Sequence, residues 1–128
     1  MKNVYTWAAK PAKRSTTVGD LKAAKGKKKF TQVTANTVDE AAAAEKAGFD
    51  MIIANAKNII PVREGSKNLF LTAALVLNEF VTADDIMRGA FKALENGADA
   101  VMTPRSMDIV EMLAKEDVPI MGHLGLVP

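Results

Sequence analysis

The chain has 128 residues, 48% hydrophobic and 25% charged, which is the balance of a packed globular fold. It contains no cysteine, excluding disulfides, thiolate metal sites and cysteine nucleophiles, and no apolar run approaches the roughly 18 residues a membrane helix needs. The net charge of +2 hides a split: residues 1–29 hold nine Lys or Arg against Asp20 alone, and residues 30–128 hold eight against fourteen acids. The basic stretches Lys10-Pro11-Ala12-Lys13-Arg14 and Lys25-Gly26-Lys27-Lys28-Lys29 have no aromatic interleaving beyond Trp7. No stacking platform for bases results, so nucleic acid is disfavoured as a partner. The first seven residues lack the apolar stretch of a secretory signal, and the expected location is the cytoplasm, with no membrane partner.

Residues 1–16 read as an irregular, basic N-terminal segment. A short helix is expected over 17–24, with Thr17 as N-cap, Asp20 in the capping-box position and Gly26 beyond its end. The β-branched alternation of 30–35 predicts a strand, and the alanine-rich stretch 38–47, stopped by Gly48, a helix. Residues 49–55 form a nearly continuous apolar run, as expected of a strand buried on both faces in a parallel sheet. Pro61 and Gly65 suggest that 58–68 is a loop, and 69–77 is a third apolar run. Thr82 caps an expected helix over 83–95, whose first turn holds Asp84 and Asp85 where the helix dipole favours negative charge. A strand over 98–103, a helix over 106–115 and a strand over 118–122 complete the pattern.

Strands alternating with helices at this spacing predict βαβ units and a parallel sheet, either in a (β/α)₈ barrel or in an open doubly wound sheet. Gly48-Phe49-Asp50 and Gly97-Ala98-Asp99 repeat one pattern of helix, Gly, one residue, Asp, strand. No Gly-rich cradle follows the first strand, which weakens the dinucleotide-binding option.

Thr34-Ala35, the stretch Glu45-Lys46-Ala47-Gly48-Phe49-Asp50-Met51-Ile52-Ile53 and the closing Val118-Pro119-Ile120-Met121-Gly122-His123-Leu124-Gly125-Leu126-Val127-Pro128 resemble the ketopantoate (3-methyl-2-oxobutanoate) hydroxymethyltransferases. The resemblance runs from about Thr17 to Pro128, and the Gly-His-Leu-Gly-Leu block is its specific part. It implies an α/β fold, the (β/α)₈ barrel of the phosphoenolpyruvate mutase and isocitrate lyase group, with residues 17–128 as the N-terminal portion of the barrel domain. It further implies hydroxymethyl transfer from methylenetetrahydrofolate to 3-methyl-2-oxobutanoate, on the way to pantothenate, and a homo-oligomeric state. In the family a divalent cation, Mg²⁺, chelates the keto acid and makes its neighbouring carbon acidic. The family's ligands do not carry over. The Asp and Ser of its G-D-S fall on Ala56 and Lys57, the Asp of its third strand falls near Ala73, and its K-L-E-G is replaced by Met102-Thr103-Pro104-Arg105. Val81-Thr82-Ala83-Asp84-Asp85-Ile86-Met87 also resembles the family's V-T-x-D-D-M, and in that register the third strand ends at Met102-Thr103-Pro104, again without its Asp. No metal ligand is therefore assigned, and Mg²⁺ and methylenetetrahydrofolate stand as cofactors by resemblance only.

The candidate substrate-binding residues are His123, Asn55, Lys57, Arg105 and Ser106, and the expected ligand is a 2-keto acid or another anionic metabolite. His123, at the mouth of the last strand, either hydrogen-bonds a carboxylate or enolate or is a structural residue in a Gly-rich turn. Lys57 at the mouth of the second strand is a candidate Schiff-base nucleophile, which would make a metal-free lysine aldolase, against the ordinary reading of a solvated side chain. Asn55 donates to a keto acid or satisfies a turn. Arg105 and Ser106, at a helix start, bind an anion, or Ser106 is a plain N-cap. A non-catalytic barrel relative that binds an anionic metabolite or a protein partner is the other alternative. A whole barrel takes about 250 residues, so the expectation is a fragment, the first half of a longer protein.

Overall fold

The computed structural model describes residues 1–125. A β-hairpin, β1 (Lys2–Tyr5) and β2 (Pro11–Arg14), leads into α1 (Val18–Ala23). Five parallel strands follow: β3 (Gln32–Thr34), β4 (Met51–Asn55), β5 (Phe70–Ala74), β6 (Ala100–Thr103) and β7 (Ile120–Gly122). They are joined by α2 (Val38–Ala47), α3 (Ile59–Gly65), α4 (Ala83–Glu95) and α5 (Met107–Lys115). A single 3₁₀ turn, Ala56–Asn58, links β4 to α3.

The sheet order is β3-β4-β5-β6-β7, without reversal. A doubly wound sheet would change direction at a switch point and carry helices on both faces. Here Ile52, Ala54, Leu71, Ala73 and Val101 point to one face, and residues of all four connecting helices, including Ala41, Ala44, Ile59, Val62, Ala90, Leu94 and Leu113, pack there in one aliphatic core. The opposite face holds Met51, Phe70 and Ala100 at the starts of the strands, covered by Val18 and Leu21 of α1 and by Phe30. Consecutive parallel strands with all connecting helices outside and a helix under the strand starts form part of a (β/α)₈ barrel wall.

Two expectations are corrected. Residues 1–16, read as irregular, form the antiparallel hairpin, in register Lys2↔Arg14 and Val4↔Ala12. Its turn closes through Thr6 N–H to the Lys10 carbonyl (2.9 Å) and Ala9 N–H to the Thr6 carbonyl (2.8 Å). Trp7 in that turn packs on Phe91 of α4, with ring centroids 5.5 Å apart. The stretch 58–68, read as a loop, is mostly α3. Pro61 is its third residue, where the amide has no intrahelical acceptor and the missing N–H costs nothing. Gly65 is its last residue. It lets α3 approach α2 so closely that a Cβ there would sit 2.1 Å from the Val38 carbonyl oxygen.

Three other helices begin at side-chain caps. Thr17–Asp20, Thr37–Glu40 and Thr82–Asp85 each form a full capping box, and Gly48 ends α2 at φ 83°, in the left-handed region open to glycine. The repeated Gly-x-Asp pattern also acquires a function. Asp50 Oδ2 accepts from the Thr31 N–H (2.8 Å) and hydroxyl (2.9 Å), and Asp99 Oδ2 accepts from the Leu71 N–H (2.9 Å). Each aspartate thus fixes the start of one strand to its neighbour in the sheet.

The Thr31 backbone hydrogen bond, aided by the Thr31 hydroxyl and Lys28, outweighs partial burial and holds the Asp50 carboxyl below its usual range. A depressed carboxylate contributes stability above its unfolded pKa of about 3.9 and loses it as pH falls through the folded value. The thermal midpoint is therefore expected to drop more steeply below about pH 4 in the parent than in Asp50→Asn, as followed by circular dichroism. Identical acid slopes would contradict this role.

Candidate functional site

The C-terminal ends of parallel strands in a barrel converge on the rim where ligands bind. Asn55 ends β4, and its side chain accepts from the Lys57 N–H at 2.9 Å, capping the 3₁₀ turn. Its backbone N–H donates to Asn36 Oδ1 (2.8 Å), which also accepts from Asn58 Nδ2 (3.1 Å). Its own Nδ2 donates to Glu79 Oε2 at 3.4 Å. Lys57 Nζ lies 3.4 Å from the same Glu79 oxygen, with its side chain 63% exposed. The structure places Asn55 and Lys57 side by side with Asn36, Asn58 and Glu79, which the sequence did not single out. Glu79 lies in the connection between β5 and α4, and no local pattern ties it to residues more than twenty positions earlier.

Schiff-base chemistry requires an amine removed from water. Lys57 is solvated and sits beside a carboxylate, so the geometry does not supply that condition.

Arg105 is committed elsewhere. Its Nη2 donates to the carbonyls of Leu77 (3.3 Å), Phe80 (3.1 Å) and Val81 (3.1 Å), holding the β5–α4 connection against the end of β6. Its Nε is buried without an acceptor among the described residues. Ser106 precedes α5, exposed, and its side chain makes no capping hydrogen bond. Arg105 thus clamps the β5–α4 connection, and Ser106 precedes α5 without acting as a side-chain cap. His123 follows β7 at the same end of the sheet and is half-buried. Residues 126–128 of the closing motif lie outside the described residues.

At the other end of the strands is a charged group that the sequence did not reveal. Arg14, 4% exposed, donates through Nε to both oxygens of Asp99 (2.8 and 3.0 Å) and through Nη1 to the carbonyls of Lys13 and Lys67 (both 2.9 Å). Arg63 donates through Nη2 to Asp99 Oδ2 (2.9 Å), and through its other nitrogens to the Gly97, Ser66 and Leu69 carbonyls. Burial pushes the Arg63 pKa down to about 10 against the pull of Asp99, with Arg14 adding to the depression, and the group stays charged at neutral pH.

In comparisons with known proteins, no family model matches the chain. Among curated proteins it is 32% identical to the 3-methyl-2-oxobutanoate hydroxymethyltransferase of Kosmotoga olearia, aligned over 81% of this chain and 48% of that protein. The enzyme of the same name from Pyrococcus furiosus is 31% identical over 81% and 46%, and that of Deinococcus radiodurans is 41% identical over 52% and 26%. The chain belongs to the 3-methyl-2-oxobutanoate hydroxymethyltransferase family. It spans about half the length of the curated relatives it matches. Similar solved structures include a rubisco-like protein from Burkholderia fungorum (TM-score 0.55, 16% identity, 88% of this chain and 35% of that one). Another is a putative deoxyribose-phosphate aldolase from Coccidioides immitis (TM-score 0.52, 14% identity, 73% and 46%). At these identities they support the barrel fold alone.

The cation that the hydroxymethyltransferase resemblance implies can be tested against the donors at the rim. Hard divalent cations take several oxygen ligands, chiefly carboxylates. Beyond β4 stands Ala56, and at the end of β5 the residue sharing a face with Phe70 and Thr72 is Ala74, since Ala73 is buried against the helices. Beyond β6 stand Pro104 and Arg105. Among the described residues no three His, Asp or Glu side chains come together. Glu79 is the carboxylate found beside Asn55, and it is engaged by Lys57. This donor set does not fit the cation.

Proposed function

We propose that this member of the hydroxymethyltransferase family is a non-catalytic relative, a barrel wall that does not itself run the metal-dependent transfer for which its relatives are named. One observation carries the reading. The strand ends offer Ala56, Ala74 and Pro104 where a divalent cation would need carboxylates, and the nearby Glu79 faces the Lys57 ammonium. A 2-keto acid would meet no carboxylate-held metal at those positions. Polarising the keto oxygen, the step that makes an enolate accessible, then has no agent.

The test is an assay of hydroxymethyl transfer with the full chain, methylenetetrahydrofolate, 3-methyl-2-oxobutanoate and Mg²⁺. No turnover above the protein-free reaction is expected. Mg²⁺-dependent turnover would overturn the proposal. Metal-independent turnover, accompanied by borohydride labelling of Lys57, would replace it with the lysine-aldolase reading.

A further inference from the structure

We propose that the cavity beneath the hairpin, at the N-terminal end of the strands, binds a compact polyanion of diphosphate size. The strong positive charge of residues 1–29 has no part in the rim, and the fold concentrates some of it here. Lys10 and Lys13 from the hairpin and Lys67 from the connection before β5 line a cavity of about 440 Å³. This is the scale of small-molecule sites, about 300–1,000 Å³. All three lysines are exposed, and none forms an ion pair with a carboxylate among the described residues. Arg14 and Arg63 also line the cavity. There the two guanidiniums meet Asp99, and the Glu45 carboxylate, held by Asn68 of the cavity wall, also acts on Arg63.

The cavity wall also includes Glu95, whose carboxylate is met by Lys92 at 3.1 Å. The lining therefore stays cationic, and a concave surface of one sign raises the local concentration of the opposite ion. Three ammonium groups around a positive floor match a ligand carrying several negative charges in a small volume, such as a diphosphate, better than a monocarboxylate.

The experiment is calorimetric titration of inorganic pyrophosphate into the full chain at near-physiological salt. One saturable site is expected, with a Kd below about 1 mM. The variant Lys10→Ala/Lys13→Ala/Lys67→Ala should weaken binding at least about tenfold, whereas Lys25→Ala/Lys27→Ala/Lys29→Ala, which removes the same charge away from the cavity, should change it less than about twofold. Lys67→Gln alone, should the triple variant lose its circular dichroism signal, is expected to weaken binding about threefold. The absence of saturable binding by the parent, or equal losses in the two triple variants, would overturn the proposal.

Discussion

Replacement of Asp99 by alanine is expected to cost about 3–5 kcal/mol of folding stability, the range for breaking a buried ion pair from one side. The carboxylate is 14% exposed and accepts from Arg14, Arg63 and the Leu71 N–H together. Its removal leaves two guanidiniums, 4% and 15% exposed, without the carboxylate they both bond, and an orphan amide on β5. Three elements distant in sequence lose their common tie at once, namely the hairpin, α3 and the start of β6. Asp99→Asn retains an acceptor for Leu71 and should cost less than alanine. Urea unfolding followed by circular dichroism measures both, and a loss below about 1 kcal/mol for alanine would show that the arginines find other partners.

Gly65→Ala reverses the usual preference for alanine in helices. Alanine is favoured over glycine by up to about 1 kcal/mol within a helix, so at the last residue of α3 propensity predicts at most a modest stabilisation. Contact predicts the opposite. The new Cβ would lie 2.1 Å from the Val38 carbonyl oxygen, 2.9 Å from its carbon and 3.0 Å from the Ala41 Cβ. The first two are backbone atoms at the start of α2, so no rotamer change relieves them and the two helices must move apart. Overpacking of this kind costs about 1–3 kcal/mol, and a backbone clash belongs at the upper end. The same unfolding measurement is expected to show destabilisation of about 2–3 kcal/mol. A midpoint equal to or above the parent's would mean that α2 and α3 are not in this contact.

The parts of the fold that the sequence made legible were those governed by local chemistry. Thr37 with Glu40 and Thr82 with Asp85 set the starts of α2 and α4, and Gly48 ended α2 as expected. The nearly continuous apolar run over 49–55 marked β4, whose second face is covered only at its start, through Met51. The hairpin was not legible, because its strands are short and mostly exposed. Its anchor is the Arg14 side chain reaching Asp99, eighty-five residues away. Pro61 and Gly65 misled because both are breakers in a helix interior, yet one occupies the first turn and the other a helix contact. At the rim, Asn55 and Lys57 could be placed from the strand end alone. Whether Lys57 and Arg105 were available to a ligand depended on Glu79 and the carbonyls of 77–81, which only the folded chain brings near.

Manganese(II), a paramagnetic substitute for Mg²⁺, reports whether this rim holds a divalent cation for a keto acid. In a titration of the full chain with Mn²⁺ in the presence of 3-methyl-2-oxobutanoate, read by electron paramagnetic resonance, the free-ion signal is expected to match the protein-free titration up to about 1 mM. Saturable uptake of one Mn²⁺ per chain with a Kd near about 10 μM, dependent on the keto acid, would contradict the account.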